Sequence, residues 1–151
     1  MKRGLDTNVL ISAHIPSIGG HRSVRAFLEE QLASPEVILA ITPAVLHEFL
    51  HVVTDARRFD PPVPMAAALD IVRNYLGCAN VECLATDEAA ARLAFDLIEK
   101  HRLGHKRLAD TLFAATLLSN GVGVLITCNA ADYEVFRDLR LIDPRQQDRP
   151  A

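Results

Sequence analysis

Val37-Ile38-Leu39-Ala40-Ile41-Thr42-Pro43-Ala44-Val45-Leu46-His47-Glu48-Phe49 is the stretch that sets the architecture. Val37 to Ile41 is an uninterrupted apolar run and reads as a buried strand. Thr42 is a natural N-cap and Pro43 suits the first helical position, so a helix opens directly behind the strand. At about 100° per residue Val45, Phe49, Val52, Val53 and Ala56 share one face, and the helix is expected to reach about Arg58. Glu48 falls at the edge of that apolar arc, with Asp55 on the same flank.

The same alternation extends in both directions. Upstream, a short strand runs to Leu5, a helix covers Val9 to Ile15, and an amphipathic helix over 22–33 carries Val24, Phe27, Leu28 and Leu32 at helical spacing. Pro16 and the Gly19-Gly20 pair separate the two helices. Downstream, the proline-containing segment 59–64 is a break. A helix follows over 65–76, then a strand from Val81 to Ala85, and a helix to about Arg102 capped by Thr86 or Asp87. Another helix spans 110–120, a strand Val122–Thr127, and a short helix lies within Asn129–Phe136. Strands alternating with helices predict a three-layer α/β/α sandwich around a mostly parallel sheet. One domain is expected over residues 1–144, with a loose polar tail over 145–151. The segment 65–80 is apolar and reads as core, with a partner groove as the other use of such a face.

Half of the 151 residues are hydrophobic, enough for a real core, and the net charge is −3. That balance lacks the basic signature of a dedicated nucleic-acid binder. Cys78, Cys83 and Cys128 have no metal-ligand spacing and read as buried reduced thiols. No apolar run is long enough to span a bilayer and the opening MKRGLDTN carries no apolar signal region, so a cytoplasmic protein is expected.

Ligands of parallel α/β sheets gather outside the carboxyl ends of the strands, so the acids there matter most. Asp6 follows the first strand. If Thr7 and Asn8 share the capping of the next helix, its carboxylate is left free. Glu48 stands one turn into the helix behind Val37–Ile41. Asp110 lies in Leu108-Ala-Asp-Thr-Leu-Phe-Ala-Ala-Thr-Leu-Leu118, a helix apolar on every side, where a carboxylate must be paired, coordinated or at the helix mouth. Asn129 and Asp132 reach the same edge after the last confident strand. Gathered carboxylates raise one another's pKa unless a cation is present. Oxygen donors without cysteine or histidine favour Mg²⁺ or Mn²⁺ over zinc. Such an ion can activate water against a phosphodiester.

At these residues the sequence resembles the PIN-domain family, and within it the VapC-type toxins of bacterial toxin–antitoxin pairs. Leu5-Asp-Thr-Asn-Val-Leu-Ile11 is similar to that family's first motif, Thr42-Pro-Ala-Val-Leu-His-Glu-Phe49 to its second, and Leu108-Ala-Asp-Thr-Leu-Phe-Ala-Ala-Thr116 to its third. Leu125-Ile-Thr-Cys-Asn-Ala-Ala-Asp-Tyr133 resembles the closing motif, and Leu139-Arg-Leu-Ile-Asp-Pro144 the final strand. The resemblance spans residues 3 to about 144. It departs at Asn129, where many relatives have Asp, and at Tyr133, where Phe is usual.

The resemblance implies an endoribonuclease, often aimed at structured RNA, a homodimer, and a VapB-type antitoxin whose tail blocks the site. It implies that Asp6, Glu48 and Asp110 bind Mg²⁺ or Mn²⁺ and that Asn129 or Asp132 helps with a second ion. Lys100, His101, Arg102, His105, Lys106 and Arg107 form a basic run beside Asp110. Arg102, Lys106 and Arg107 are candidate phosphate contacts, with Arg57 and Arg58 adding to them. His47, His51 and His105 are candidate acids or phosphate donors. An aspartate-nucleophile phosphatase is the first alternative, but it wants Asp two residues after Asp6 and finds Asn8. The second is a PIN-fold module that binds RNA or protein without cutting, against which the full acid triad speaks.

Overall fold

The computed structural model describes residues 1–146 as strands alternating with helices. β1 (Lys2–Leu5) passes through Asp6 into α1 (Thr7–His14), and α2 (His21–Ala33) follows. β2 (Ile38–Ile41) passes through Thr42 into α3 (Pro43–Val53), and α4 (Met65–Gly77) leads to β3 (Val81–Cys83). α5 (Glu88–His101) and α6 (Leu108–Ser119) pack on each other before β4 (Val124–Ile126), and β5 (Arg140–Ile142) completes the sheet.

All strand pairings are parallel, in the order β3-β2-β1-β4-β5. The chain leaves central β1 towards β2 and β3, then crosses to the other side of β1 for β4 and β5. A crevice forms at such a reversal, beyond the carboxyl ends of the two strands between which the order changes. Here those are β1 and β4. Leu5 lies opposite Ile126, and the Asp6 N–H donates to the Ile126 carbonyl at 3.1 Å. Asp6 and Thr127 therefore leave the sheet side by side.

Both faces of the sheet carry helices, so Leu5, Leu39, Ile41, Leu125 and Ile126 are fully buried and the expected three-layer α/β sandwich holds. Gly4 sets the closest approach: a Cβ there would stand 2.5 Å from Cδ1 of Leu117, itself fully buried. The missing side chain leaves room for the Leu117 side chain of α6 against the central strand. A short turn through Gly121, with φ of 71°, joins α6 to β4. The last turn of α6 is thereby fixed at the amino edge of the sheet and its first turn at the carboxyl edge.

Several boundaries differ from expectation for local reasons. α3 stops at Val53, where the next backbone donor, the Asp55 N–H, turns to the Val52 carbonyl at 3.3 Å instead of continuing the helical ladder. Asp55 then caps a turn by accepting from the Arg57 N–H at 2.9 Å, and Ala56 is exposed rather than core. α1 begins at Thr7 and α6 at Leu108, two residues earlier than expected in each case. β3 and β4 are shorter than predicted, and 129–136 holds only a 3-10 turn at Ala130–Asp132. Asp87 rather than Thr86 caps α5, accepting from the Ala90 N–H at 2.9 Å.

The thiols are free but not uniformly buried, since Cys83 is exposed on edge strand β3 and the other two are half-buried. α4 buries Ala68, Val72 and Tyr75 and leaves Met65 and Leu76 exposed. Pro144, the last residue of the expected domain, is buried; Pro144–Gln146 forms a 3-10 turn in which Arg145 and Gln146 are exposed, and residues 147–151 lie outside the described residues. No helix among the described residues is long and apolar enough to cross a membrane.

Candidate active site

Asp6 is the N-cap of α1 and only 8% exposed. Its carboxylate is not left free by Thr7 and Asn8, because Asp6 does the capping itself. Oδ1 accepts from the Thr7 N–H at 2.7 Å, and Oδ2 accepts from Asn8 Nδ2 at 3.1 Å and from the Thr127 hydroxyl at 2.8 Å. Thr127 Oγ1 in turn accepts from the Asn129 N–H, and Asn8 Oδ1 from the Cys128 N–H, both at 3.0 Å. The loop behind β4 is thus tied to the loop behind β1. The hydroxyl of Thr7 points the other way and donates to Glu48 Oε2 at 2.9 Å, which holds the exposed Glu48 against α1.

Asp110 arrives from the first turn of α6, where the helix dipole favours a negative charge. It reaches the carboxyl edge on the helix that leads into β4, not on one that follows a strand. Tyr133 is 2% exposed, packed edge-on against Phe113 and tilted against Phe136. Its O–H donates to Asp110 Oδ1 at 3.3 Å.

Asp6, Glu48, Asp110 and Tyr133 line one pocket of about 60 Å³, room for a few waters or an ion with part of its shell. Burial pushes the Asp6 carboxyl up to about 6, opposed by the Thr127 and Thr7 hydrogen bonds and assisted by the charges of Asp110 and Glu48. Asp110 is also raised, first by burial and then by Asp132, while Tyr133 and Arg107 pull it down. Burial, together with the Asp6 and Asp110 carboxylates, pushes the Tyr133 phenol far above its ordinary range, so it remains a donor.

Among the described residues no three acid, histidine or cysteine side chains already form a cation cage, so holding an ion requires side-chain movement. The donor set nonetheless fits a hard divalent cation. It is made of oxygens, the charges of Asp110 and Glu48 raise Asp6, and no histidine or cysteine lines the pocket. His47, His51 and His105 are all exposed.

Asn129 and Asp132 stand outside the pocket wall. Asn129 Nδ2 donates to Asp132 Oδ2, and Asp132 is near enough to Asp110 to raise its pKa. Of the basic run, Lys106 and Arg102 are exposed, Arg102 closing α5 with φ of 52°. Arg107 is half-buried, and its Nε and one terminal nitrogen are buried without a hydrogen-bond partner among the described residues. Its charge reaches Asp110. Arg57 and Arg58 pair with Asp55 instead of joining this patch. Thr127, Asn8 as an anchor, and the Tyr133 hydroxyl were not expected as site residues. The signal available for Thr127 was a polar residue closing an otherwise apolar strand.

Comparison with protein families matches the PIN domain over residues 5–138. Ribonuclease VapC33 of Mycobacterium tuberculosis is 27% identical over 142 residues, covering 94% of this chain and 97% of that protein. VapBC2 from Rickettsia felis, solved bound to a DNA fragment from its promoter, has a TM-score of 0.64 at 22% identity, covering 94% of this chain and 98% of that one. VapC20 of Mycobacterium tuberculosis, a Sarcin-Ricin loop cleaving toxin, has a TM-score of 0.62 at 13% identity, covering 82% and 86%.

Proposed function

This chain belongs to the PIN-domain family, and from that premise we propose that it is a divalent-metal-dependent endoribonuclease, the toxin of a toxin–antitoxin pair. The observation that carries the proposal is the meeting of Asp6, Glu48 and Asp110 in one pocket at the β1–β4 reversal. VapC33 is named a ribonuclease, and the Rickettsia felis relative was solved as a VapBC complex. By that likeness a VapB-type antitoxin is the partner here; a homodimer as the working unit is what the family resemblance implies.

Asp6, Glu48 and Asp110 would hold Mg²⁺ or Mn²⁺, and Asp132, with Asn129 bonded to it, extends the acid set towards a second ion. When bound, the ion supplies an activated water and stabilises the leaving oxygen of the phosphodiester. Asp6 is the rigid member, since three hydrogen bonds fix both its oxygens and leave lone pairs unspent. Glu48, tethered only by Thr7 among the described residues, is the member able to swing. Arg102, Lys106 and Arg107 supply positive charge beside Asp110 for the RNA backbone, which a chain of net charge −3 cannot attract as a whole.

Induced expression in bacteria is expected to arrest growth and to leave fragments of a discrete RNA bearing 5′-phosphate ends, with co-expression of the partner antitoxin relieving the arrest. Undisturbed growth with intact RNA, at protein levels visible on a gel, would contradict the toxin assignment.

A further inference from the structure

An apolar ring would suffice to fill the space that Tyr133 occupies between Phe113 and Phe136, yet this ring carries a hydroxyl that lines the acidic pocket. That hydroxyl lies between the Asp6 and Asp110 carboxylates, and its 3.3 Å contact is the bond it donates to Asp110 Oδ1. Asp110 has little else to hold it: it sits in the first turn of a helix whose N-cap, Arg107, makes no side-chain capping bond. Asp6, by contrast, is fixed by three donors.

We infer that Tyr133 is the positioning residue for Asp110: its O–H, aimed by aromatic packing, claims one carboxylate oxygen and so turns the other towards a divalent cation in the pocket. The inference rests on the proposed metal site. At 3.3 Å the bond is longer than a settled O–H···O contact, as hydrogen bonds at such sites commonly are before the ligand draws them in. Donors that orient a metal ligand typically carry about 10- to 100-fold in metal affinity.

The test is Mn²⁺ binding to the full chain, read from the loss of the free-ion paramagnetic signal, for the parent, Tyr133→Phe and Asp110→Asn. Tyr133→Phe keeps the ring, so its melting temperature in chelator should match the parent. Its Mn²⁺ affinity should fall about tenfold, with cleavage recovering as Mn²⁺ is raised by the same factor. Asp110→Asn should lose binding altogether. Affinity in Tyr133→Phe within twofold of the parent, or tighter, overturns the positioning role while leaving the metal site standing. So does a large drop in melting temperature in chelator with Mn²⁺ affinity unchanged, which would make the hydroxyl a fold-stabilising donor only. A parent protein that binds no Mn²⁺ overturns both.

Discussion

Asp6→Asn is expected to cut RNA cleavage on the order of a thousand-fold and to flatten the fall in stability that the parent shows in chelator as pH rises towards neutrality. The first effect follows from the position of Asp6 at the bottom of the pocket, where it is the rigid anion of the set. The second follows from its pKa, pushed up to about 6 by burial first and then by Asp110 and Glu48. Between pH 4 and 6 the folded state binds a proton at Asp6 that the unfolded chain releases. Stability from this residue is therefore present below pH 4, falls as pH rises to 6, and is level above. Two pKa units correspond to about 2 kcal/mol once solvent relaxation is allowed for.

Asp110, also raised, tilts the profile the same way. Asp55 and Asp143, held low by Arg57 and Arg145, act with the opposite sign and only in more acidic solution. Urea denaturation in chelator at pH 5 and pH 7 separates these: the parent should lose stability between the two, and Asp6→Asn should lose less. A variant whose stability falls between pH 5 and pH 7 as steeply as the parent's would contradict the raised Asp6 pKa.

Gly4→Val should destabilise the fold by about 3 kcal/mol and lower cleavage in whatever protein remains folded. The space for a side chain is taken by Leu117, whose Cδ1 and Cδ2 would stand 2.5 and 2.9 Å from a Cβ. Leu117 is fully buried and has no solvent to retreat into. The gain from replacing a strand glycine, about 1 kcal/mol or less, does not offset that overlap. Relief comes from Leu117 turning against its buried neighbours or from α6 lifting off β1, and α6 carries Asp110 while β1 leads to Asp6. Denaturant titration and cleavage assays on the same sample check both halves. A Gly4→Val protein with parental midpoint and parental activity would show that α6 can shift without cost and that the spacing does not matter.

Much of this arrangement was legible in the residues. Val37–Ile41 followed by Thr42 and Pro43 specifies a strand and a capped helix through local chemistry alone, and both formed there. The helix around Asp110 is apolar all round and is buried from Thr111 to Leu117 except at Leu112. What could not be read was set by contacts across the chain or by side chains competing with the backbone. The Thr127 bond to Asp6 joins residues 121 positions apart and exists because β1 and β4 align in parallel register. Asp55 closes the chain beyond α3 by capping a turn with its own carboxylate, which an apolar period cannot register. Tyr133 reads as a core aromatic until its hydroxyl is seen beside Asp110. The pairing of Arg57 and Arg58 with Asp55 likewise needed the turn that α3's early end creates.

The most direct measurement is cleavage of a purified RNA substrate by metal-stripped protein, with and without added divalent ion, and with the chemistry of the new ends determined. Cleavage should be absent in chelator, return with Mn²⁺ or Mg²⁺, and leave 5′-phosphate and 3′-hydroxyl ends. Undiminished cleavage in chelator that leaves 2′,3′-cyclic phosphates would transfer the chemistry to side chains such as His47, His51 or His105 and leave the acidic pocket without its proposed role.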